Sequence, residues 1–95
     1  MASYVIVEIA VTDPARFEEY KTLGPASLEP YGGKYRVRGG AAASLEGDWQ
    51  PGRVVVIEFP TEEKARAWWG SREYAPAKAL RQASARTRMI LVPGV

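Results

Sequence analysis

The chain contains neither histidine nor cysteine among its 95 residues. Without an imidazole or a thiol it has no histidine general base and no thiolate nucleophile, and it lacks the usual ligands of zinc and haem iron. Serine–histidine triads, cysteine proteases and zinc hydrolases are therefore excluded, and we expect neither a metal nor a cofactor. The absence of cysteine also fits the reducing cytoplasm, which is the expected location.

The sequence also has no long apolar run and no strong charge of one sign. No segment approaches the ~20 apolar residues that span a bilayer, and the N-terminal residues lack the basic leader of a signal peptide. The net charge is only +2, although the cations are concentrated in residues 34–95. This asymmetry suits a small anionic ligand at least as well as a nucleic acid, and we expect no membrane partner.

Length and composition indicate one globular domain over residues 1–95. The hydrophobic fraction of 46% and the charged fraction of 25% are ordinary for a folded domain. A domain of this size buries only roughly 60–65% of the surface that its unfolded chain exposes. Self-association would therefore add to its stability.

Alternating apolar and polar residues predict the strands. Residues 3–11 alternate, residues 34–38 form a second strand between two glycine pairs, and residues 86–94 form the last. A hairpin is predicted between the second and the last of these strands. It consists of a short strand ending at Glu46, a polar turn, and a strand over residues 53–59.

Capping residues predict the helices. Asp13 as N-cap and Pro14 at the first position open a helix, which Gly24-Pro25 is expected to interrupt. Thr61 is the predicted N-cap of the next helix. Ser71 can cap a further helix, in which Pro76 marks a kink or a restart.

The resulting order is β-α-β-β-α-β, which is the ferredoxin-like split βαβ arrangement of an α+β protein. Strands one and three should lie side by side at the centre of an antiparallel sheet. Both helical regions should cover one face of that sheet and leave the other face without helices.

Charged residues are expected on this helix-free face. Glu8 and Glu58 project there if the aliphatic residues of their strands face the helices. Strict alternation along strand two places three cations on the same face: Lys34, Arg36 and Arg38. Such charges are either solvated ion pairs or a network at a dimer seam, with Glu8, Glu58 and Arg36 as candidate members.

Five short motifs together carry a family resemblance: YGGKYRVRGG, LEGDW, RVVVIEFP, ARAWWGSREY and LRQASA. Over essentially its full length the chain resembles the small bacterial family called domain of unknown function 1330. The resemblance implies a homodimeric α+β barrel in which two ferredoxin-like sheets pack through their helix-free faces. It implies no activity; antibiotic-biosynthesis monooxygenases, muconolactone isomerases and stress-induced dimeric barrels share that architecture, but such likeness is only an analogy of fold.

Five residues are candidates for a ligand pocket: Tyr20, Arg38, Trp68, Tyr74 and Arg81. Aromatic walls and phenol hydroxyls would hold the ligand, while Arg38 or Arg81 would bind a carboxylate bidentately. The alternative for Tyr20 and Trp68 is core packing. The alternative for Arg81 is a structural arginine stacked on Tyr74.

The leading functional hypothesis is binding of a small anionic or aromatic metabolite, with or without cofactor-independent conversion, so the sequence leaves open whether the protein is an enzyme. The alternative is a non-catalytic dimeric stress or accessory protein without a small-molecule substrate. Nucleic-acid binding is not expected, because the third strand of RNA-recognition domains carries stacking aromatic residues, whereas the only aromatic residue of RVVVIEFP is Phe59 at its end. The glycine pairs also fail to form the G-x-G-x-x-G dinucleotide fingerprint.

Overall fold

The computed structural model describes all residues from Met1 to Val95. It contains four strands and three α-helices in the order β1 (Ser3–Val11), α1 (Pro14–Leu28), β2 (Lys34–Ala41), β3 (Arg53–Phe59), α2 (Glu62–Trp69), α3 (Ala75–Ser84) and β4 (Ala85–Pro93). The strands form one antiparallel sheet in the order β2-β3-β1-β4. This is the predicted ferredoxin-like α+β fold, with β1 and β3 at the centre.

The hydrophobic core lies between the helices and one face of the sheet. Val5, Val7 and Ile9 of β1 are buried there because they alternate with residues that point to the opposite face. Ile57 and Phe59 of β3 join them under the helices. The expected helix side of both central strands is thus confirmed, and the other face of the sheet carries no helix.

Asp13 and Thr61 are the N-caps of α1 and α2 as predicted, whereas the N-cap of α3 is Tyr74 and not Ser71. Asp13 accepts a hydrogen bond from the Arg16 amide over 3.3 Å, and Thr61 accepts one from the Lys64 amide over 3.2 Å. Ser71 accepts from the Tyr74 amide over 3.1 Å, one residue before α3 begins. No helix in the protein combines the length and the apolar character needed to cross a membrane.

The expected interruption of α1 is wrong. The helix runs through Gly24 and Pro25 to Leu28 and then tightens into a 3-10 turn over Glu29–Tyr31. Proline removes only one backbone donor, and the Ser27 hydroxyl, which donates to the Gly24 carbonyl over 2.6 Å, holds the same turn together. One missing hydrogen bond is therefore not enough to end the helix.

The short strand predicted to end at Glu46 is absent. β2 ends at Ala41, which pairs with Arg53, the first residue of β3. No residue of β3 remains to pair with residues 42–46, so residues 42–52 form a loop.

An irregular register in β2 overturns the expected common face of its three cations. Tyr35 pairs with Ile57 and Val37 pairs with Val56, which leaves Arg36 as an extra residue in a β-bulge. Because one extra residue inverts the alternation of a strand, Arg38 turns to the helix side. Val37, which strict alternation would place under the helices, lies on the helix-free face.

Candidate functional site

A cavity of about 330 Å³ lies between α1 and the helix side of the sheet. Its inner wall is formed by apolar residues of the core: Val7, Ile9, Phe17, Val55, Ile57, Trp68 and Met89. β1 and β3 supply this wall because their aliphatic residues alternate toward the helices. The interior can therefore accept an apolar or aromatic group.

The rim of this cavity is cationic. Lys21, Arg38 and Arg53 line it, together with the rings of Tyr20 and Tyr35. The Arg38 guanidinium lies 4.6 Å from the centroid of the Tyr35 ring, a cation–π arrangement. Neither Arg38 nor Arg53 takes part in any ion pair of the protein. An exposed guanidinium without a carboxylate partner can receive an anion.

The bulge in β2 makes this arrangement possible. With strict alternation Arg38 would point away from the cavity, whereas the extra residue at Arg36 turns it inward. Gly39 follows with φ at 73°, a left-handed conformation that favours glycine. The glycine therefore shapes the strand beside the cationic rim.

Trp68 forms the inner end of the cavity and is held from three directions. Its indole nitrogen donates to the Ser27 hydroxyl over 3.0 Å. Its ring stacks on Tyr74 with centroids 4.0 Å apart and lies 5.4 Å from Phe59. Such contacts fix the ring in one orientation, so the end wall is rigid.

Two phenols of the cavity stay neutral at physiological pH. Burial raises the pKa of Tyr20 far above its usual value of 10, and the nearby phenol of Tyr74 raises it further. Burial also raises the pKa of Tyr35, although the charge of Arg38 opposes that shift. Neutral hydroxyls can donate hydrogen bonds to a ligand oxygen.

The five candidate pocket residues occupy two different places. Tyr20, Arg38 and Trp68 line the cavity, whereas Tyr74 packs behind Trp68. Arg81 is buried and donates from Nε to the Tyr74 hydroxyl over 3.1 Å and from Nη1 to the Thr87 hydroxyl. It lines a separate groove and does not reach the Arg38 rim. A role of these residues in ligand binding stays a prediction.

Sequence reasoning missed several residues of the cavity, notably Arg53, Tyr35 and Lys21. Arg53 shares the parity of Val55 and Ile57 along β3, so alternation could have placed it on the helix side. Lys21 follows Phe17 by four residues on α1 and is therefore a neighbour on the helix surface.

On the helix-free face, the candidate charge network divides into two clusters. Glu58 accepts hydrogen bonds from Arg36 Nε over 3.2 Å and from the Tyr4 hydroxyl over 3.1 Å. Glu8 instead accepts from Arg88 Nε over 2.9 Å and from the indole of Trp49 over 3.1 Å. Register explains the division, since Glu8 lies opposite Arg88 on β4.

The hydrogen-bond donors of these clusters lower the pKa of both carboxyl groups. The hydrogen bonds from Arg88 and then Trp49 lower the pKa of Glu8. Those from Arg36 and then Tyr4 lower the pKa of Glu58. Both are therefore ionised at neutral pH, and neither is suited to act as a general acid. No three histidine, cysteine, aspartate or glutamate side chains form a group that could hold a metal ion.

The fold and the cavity together define a ferredoxin-like α+β protein with a ligand-sized space between helices and sheet. The chain belongs to the family described as domain of unknown function (DUF1330), whose model matches residues 2–95. The resemblance seen in the sequence motifs is confirmed. No curated protein matches the sequence.

Solved structures with the same fold include proteins of unknown function and one named enzyme. A protein of unknown function from Rhodopseudomonas palustris is 18% identical with a TM-score of 0.79, over 99% of this chain and 82% of its own. A dimeric ferredoxin-like protein of unknown function from Jannaschia sp. CCS1 is 14% identical with a TM-score of 0.76, and the match covers 99% of this chain and 100% of that protein. SnoaB, a cofactor-independent oxygenase from Streptomyces nogalater, is 16% identical with a TM-score of 0.70, and the match covers 99% of this chain and 93% of SnoaB. At these identities the likeness concerns the fold.

Proposed function

We propose that this protein binds a small metabolite with an apolar or aromatic body and one anionic group in the cavity beneath α1. The observation that carries the proposal is the position of Arg38, a cation without an ion-pair partner at the rim of a cavity whose inner wall is apolar. The body of the ligand would enter toward Trp68, and its anionic group would stay at the rim.

The dimensions and polar groups of the cavity narrow the ligand class. A volume of about 330 Å³ lies near the lower end for small-molecule sites, which supports a ligand of one or two rings. Arg38 can form a bidentate pair with a carboxylate. The neutral hydroxyl of Tyr20, which also lines the cavity, supplies a hydrogen-bond donor.

Conversion of the ligand without a cofactor is a further part of the proposal. SnoaB, which shares the fold, is described as a cofactor-independent oxygenase. In the present cavity the charge of Arg38 and the donor of Tyr20 would stabilise an anionic form of a bound phenol or enol. If the protein is instead a non-catalytic accessory protein, it should form a stable assembly that binds no small acid.

We propose that the protein acts as a homodimer in the cytoplasm, with two sheets packed through their helix-free faces as an α+β barrel. That face exposes aliphatic side chains from every strand: Ile6, Val37, Val54, Val56, Ile90 and Val92. Ile90 is 57% exposed in the single chain. A contiguous apolar surface of this kind is typical of an interface, and two neighbours of the same fold are described as dimeric.

Calorimetric titration with benzoate and with neutral benzamide tests the binding proposal. We expect benzoate to bind and benzamide to bind at least about tenfold more weakly, because only benzoate offers a charge to Arg38. Arg38→Met should reduce the preference, with Arg53 and Lys21 left at the rim, while Arg72→Met, which removes an exposed arginine outside the cavity, should preserve it. Equal affinities for the two compounds in the unsubstituted protein would contradict the proposal.

A further inference from the structure

A second and larger open space, a groove of about 710 Å³, runs between the helices and the edge strand β4. α3 contributes Arg81 and Gln82. α2 contributes Ala65, Trp69 and a second cation, Arg66, whose guanidinium is paired with Glu62 over 2.8 Å. Apolar side chains form most of the walls, with Met89 bordering both this groove and the cavity beneath α1. The groove is thus a separate space that meets the first cavity only at one side chain.

The floor of the groove contains a buried cation without an anionic partner. Arg81 is 3% exposed. Its two hydrogen-bond partners, Tyr74 and Thr87, are neutral hydroxyls, and no ion pair of the protein includes it. Taking a charge out of water is unfavourable unless an opposite charge compensates it. The protein itself supplies no such charge.

One nitrogen of this guanidinium remains available. Nε donates to Tyr74 and Nη1 donates to Thr87, whereas Nη2 donates to no protein atom. No fully enclosed polar atom in the protein lacks a hydrogen-bond partner, so Nη2 borders open space. Because Arg81 lines the groove, that space is the groove.

We propose that the groove is a second ligand site, which takes a carboxylic acid with an apolar tail. The carboxylate accepts a hydrogen bond from Nη2 of Arg81 and becomes the missing counter-ion. The tail lies along Trp69 and Leu91, which line the same groove. The proposal is independent of the Arg38 cavity, since the two sites share no cation.

Two adjacent tryptophans allow the two sites to be observed separately. Trp69 lines the groove, and Trp68 lines the cavity beneath α1. Isotope-labelled protein is titrated with octanoate and, in parallel, with octan-1-ol, and the two indole N–H signals are followed by NMR. We expect octanoate to shift the Trp69 indole and the Arg81 Nε–H signals, and octan-1-ol to bind at least about tenfold more weakly.

Gln82→Glu is the decisive variant, because Arg81 itself is buried and its replacement can unfold the chain. Gln82 is exposed at the groove, and a carboxylate there repels octanoate or pairs with Arg81 in its place. We expect octanoate affinity to fall about threefold to tenfold. Gln50→Glu makes the same change of charge in the exposed loop outside the groove and should leave the affinity unchanged.

Three results would overturn the proposal. These are equal binding of octanoate and octan-1-ol, equal effects of the two glutamine variants, and octanoate shifts confined to Trp68. The last result would assign the acid to the cavity beneath α1 and would leave the proposed function standing. If the unsubstituted protein bound benzoate and benzamide equally while octanoate still shifted the Trp69 signal, the proposed function would be wrong and the groove site would stand.

Discussion

The indole nitrogen of Trp68 donates a hydrogen bond to the Ser27 hydroxyl over 3.0 Å, and both residues are buried. The same hydroxyl donates to the Gly24 carbonyl over 2.6 Å. One serine therefore joins α2 to α1 and also supports the turn of α1 that contains Pro25. The rigid end of the cavity depends on this pair.

Ser27→Ala should destabilise the protein by about 1–3 kcal/mol, because it leaves the Trp68 indole N–H buried without an acceptor. Urea unfolding at fixed protein concentration measures the change. Ser44→Ala, a serine of the exposed loop whose hydroxyl bonds only local carbonyls, is the matched control and should change stability by less than about 0.5 kcal/mol. Equal losses would show that the buried hydrogen bond contributes nothing measurable.

Gly33→Ala and Gly40→Ala should differ in their effect on stability, although each adds one methyl group, the first just before β2 and the second within it. A Cβ at Gly33 would lie 2.9 Å from Leu28 Cδ2 and 2.9 Å from Phe59 Cε1, both in the buried core. Overpacking of this kind costs about 1–3 kcal/mol. A Cβ at Gly40 meets nothing within 4 Å, so the loss of backbone freedom in the unfolded chain should leave stability unchanged or raised by up to about 1 kcal/mol. Thermal unfolding of the two variants side by side checks the difference.

The fold could be predicted because its signals are local. β1 alternates without interruption, and Asp13 and Thr61 are residues whose side chains suit an N-cap. The bulge at Arg36 has no comparable signal, since one extra residue changes neither composition nor hydropathy. The side of the sheet on which Arg38 lies, and therefore its place at the rim of the cavity, follows only from the register of β2 against β3.

The placement of Arg81 was predictable only in part. Tyr74 and Arg81 are seven residues apart, about two helical turns, so their contact follows from helical spacing. Whether Arg81 then faces the cavity or the groove depends on how α3 packs against β4, which brings Thr87 to the guanidinium. Tertiary packing of that kind has no periodicity in the sequence.

Acid should weaken the fold through the two carboxyl groups of the helix-free face. The pKa values of Glu8 and Glu58 are lower in the folded protein than their ordinary value of 4.5. Their contribution is complete above that ordinary value and is lost as the pH falls through the folded values, because the unfolded chain then binds more protons. Urea midpoints measured from about pH 6 to about pH 3 should therefore fall. The double variant Glu8→Gln/Glu58→Gln should show a smaller fall, and an identical decline would assign the acid sensitivity to other groups.

Arg81→Met should destabilise the protein, whereas Arg38→Met should not. Removing Arg81 leaves the Tyr74 and Thr87 hydroxyls without their donor in a buried region, which costs about 1–3 kcal/mol. Arg38 is exposed and has no ion-pair partner, so its replacement should stay within about 0.5 kcal/mol. Urea unfolding of both variants provides the comparison. If Arg81→Met left the stability unchanged, the two hydroxyls would have found other hydrogen-bond partners.

Ile90→Glu should convert the proposed dimer into a monomer. Ile90 lies opposite Ile6 on the helix-free face, where a charge would be buried against a second copy without a partner. Leu23→Glu places the same charge at a residue of α1 that is 44% exposed on the helix side, and it should leave the assembly intact. Sedimentation at micromolar concentration should give about twice the chain mass of 10.5 kDa for the unsubstituted protein and the Leu23 variant, and a single chain mass for Ile90→Glu. If the unsubstituted protein sediments as a monomer, the barrel is wrong; if only the Leu23 variant dissociates, the chains associate through their helices.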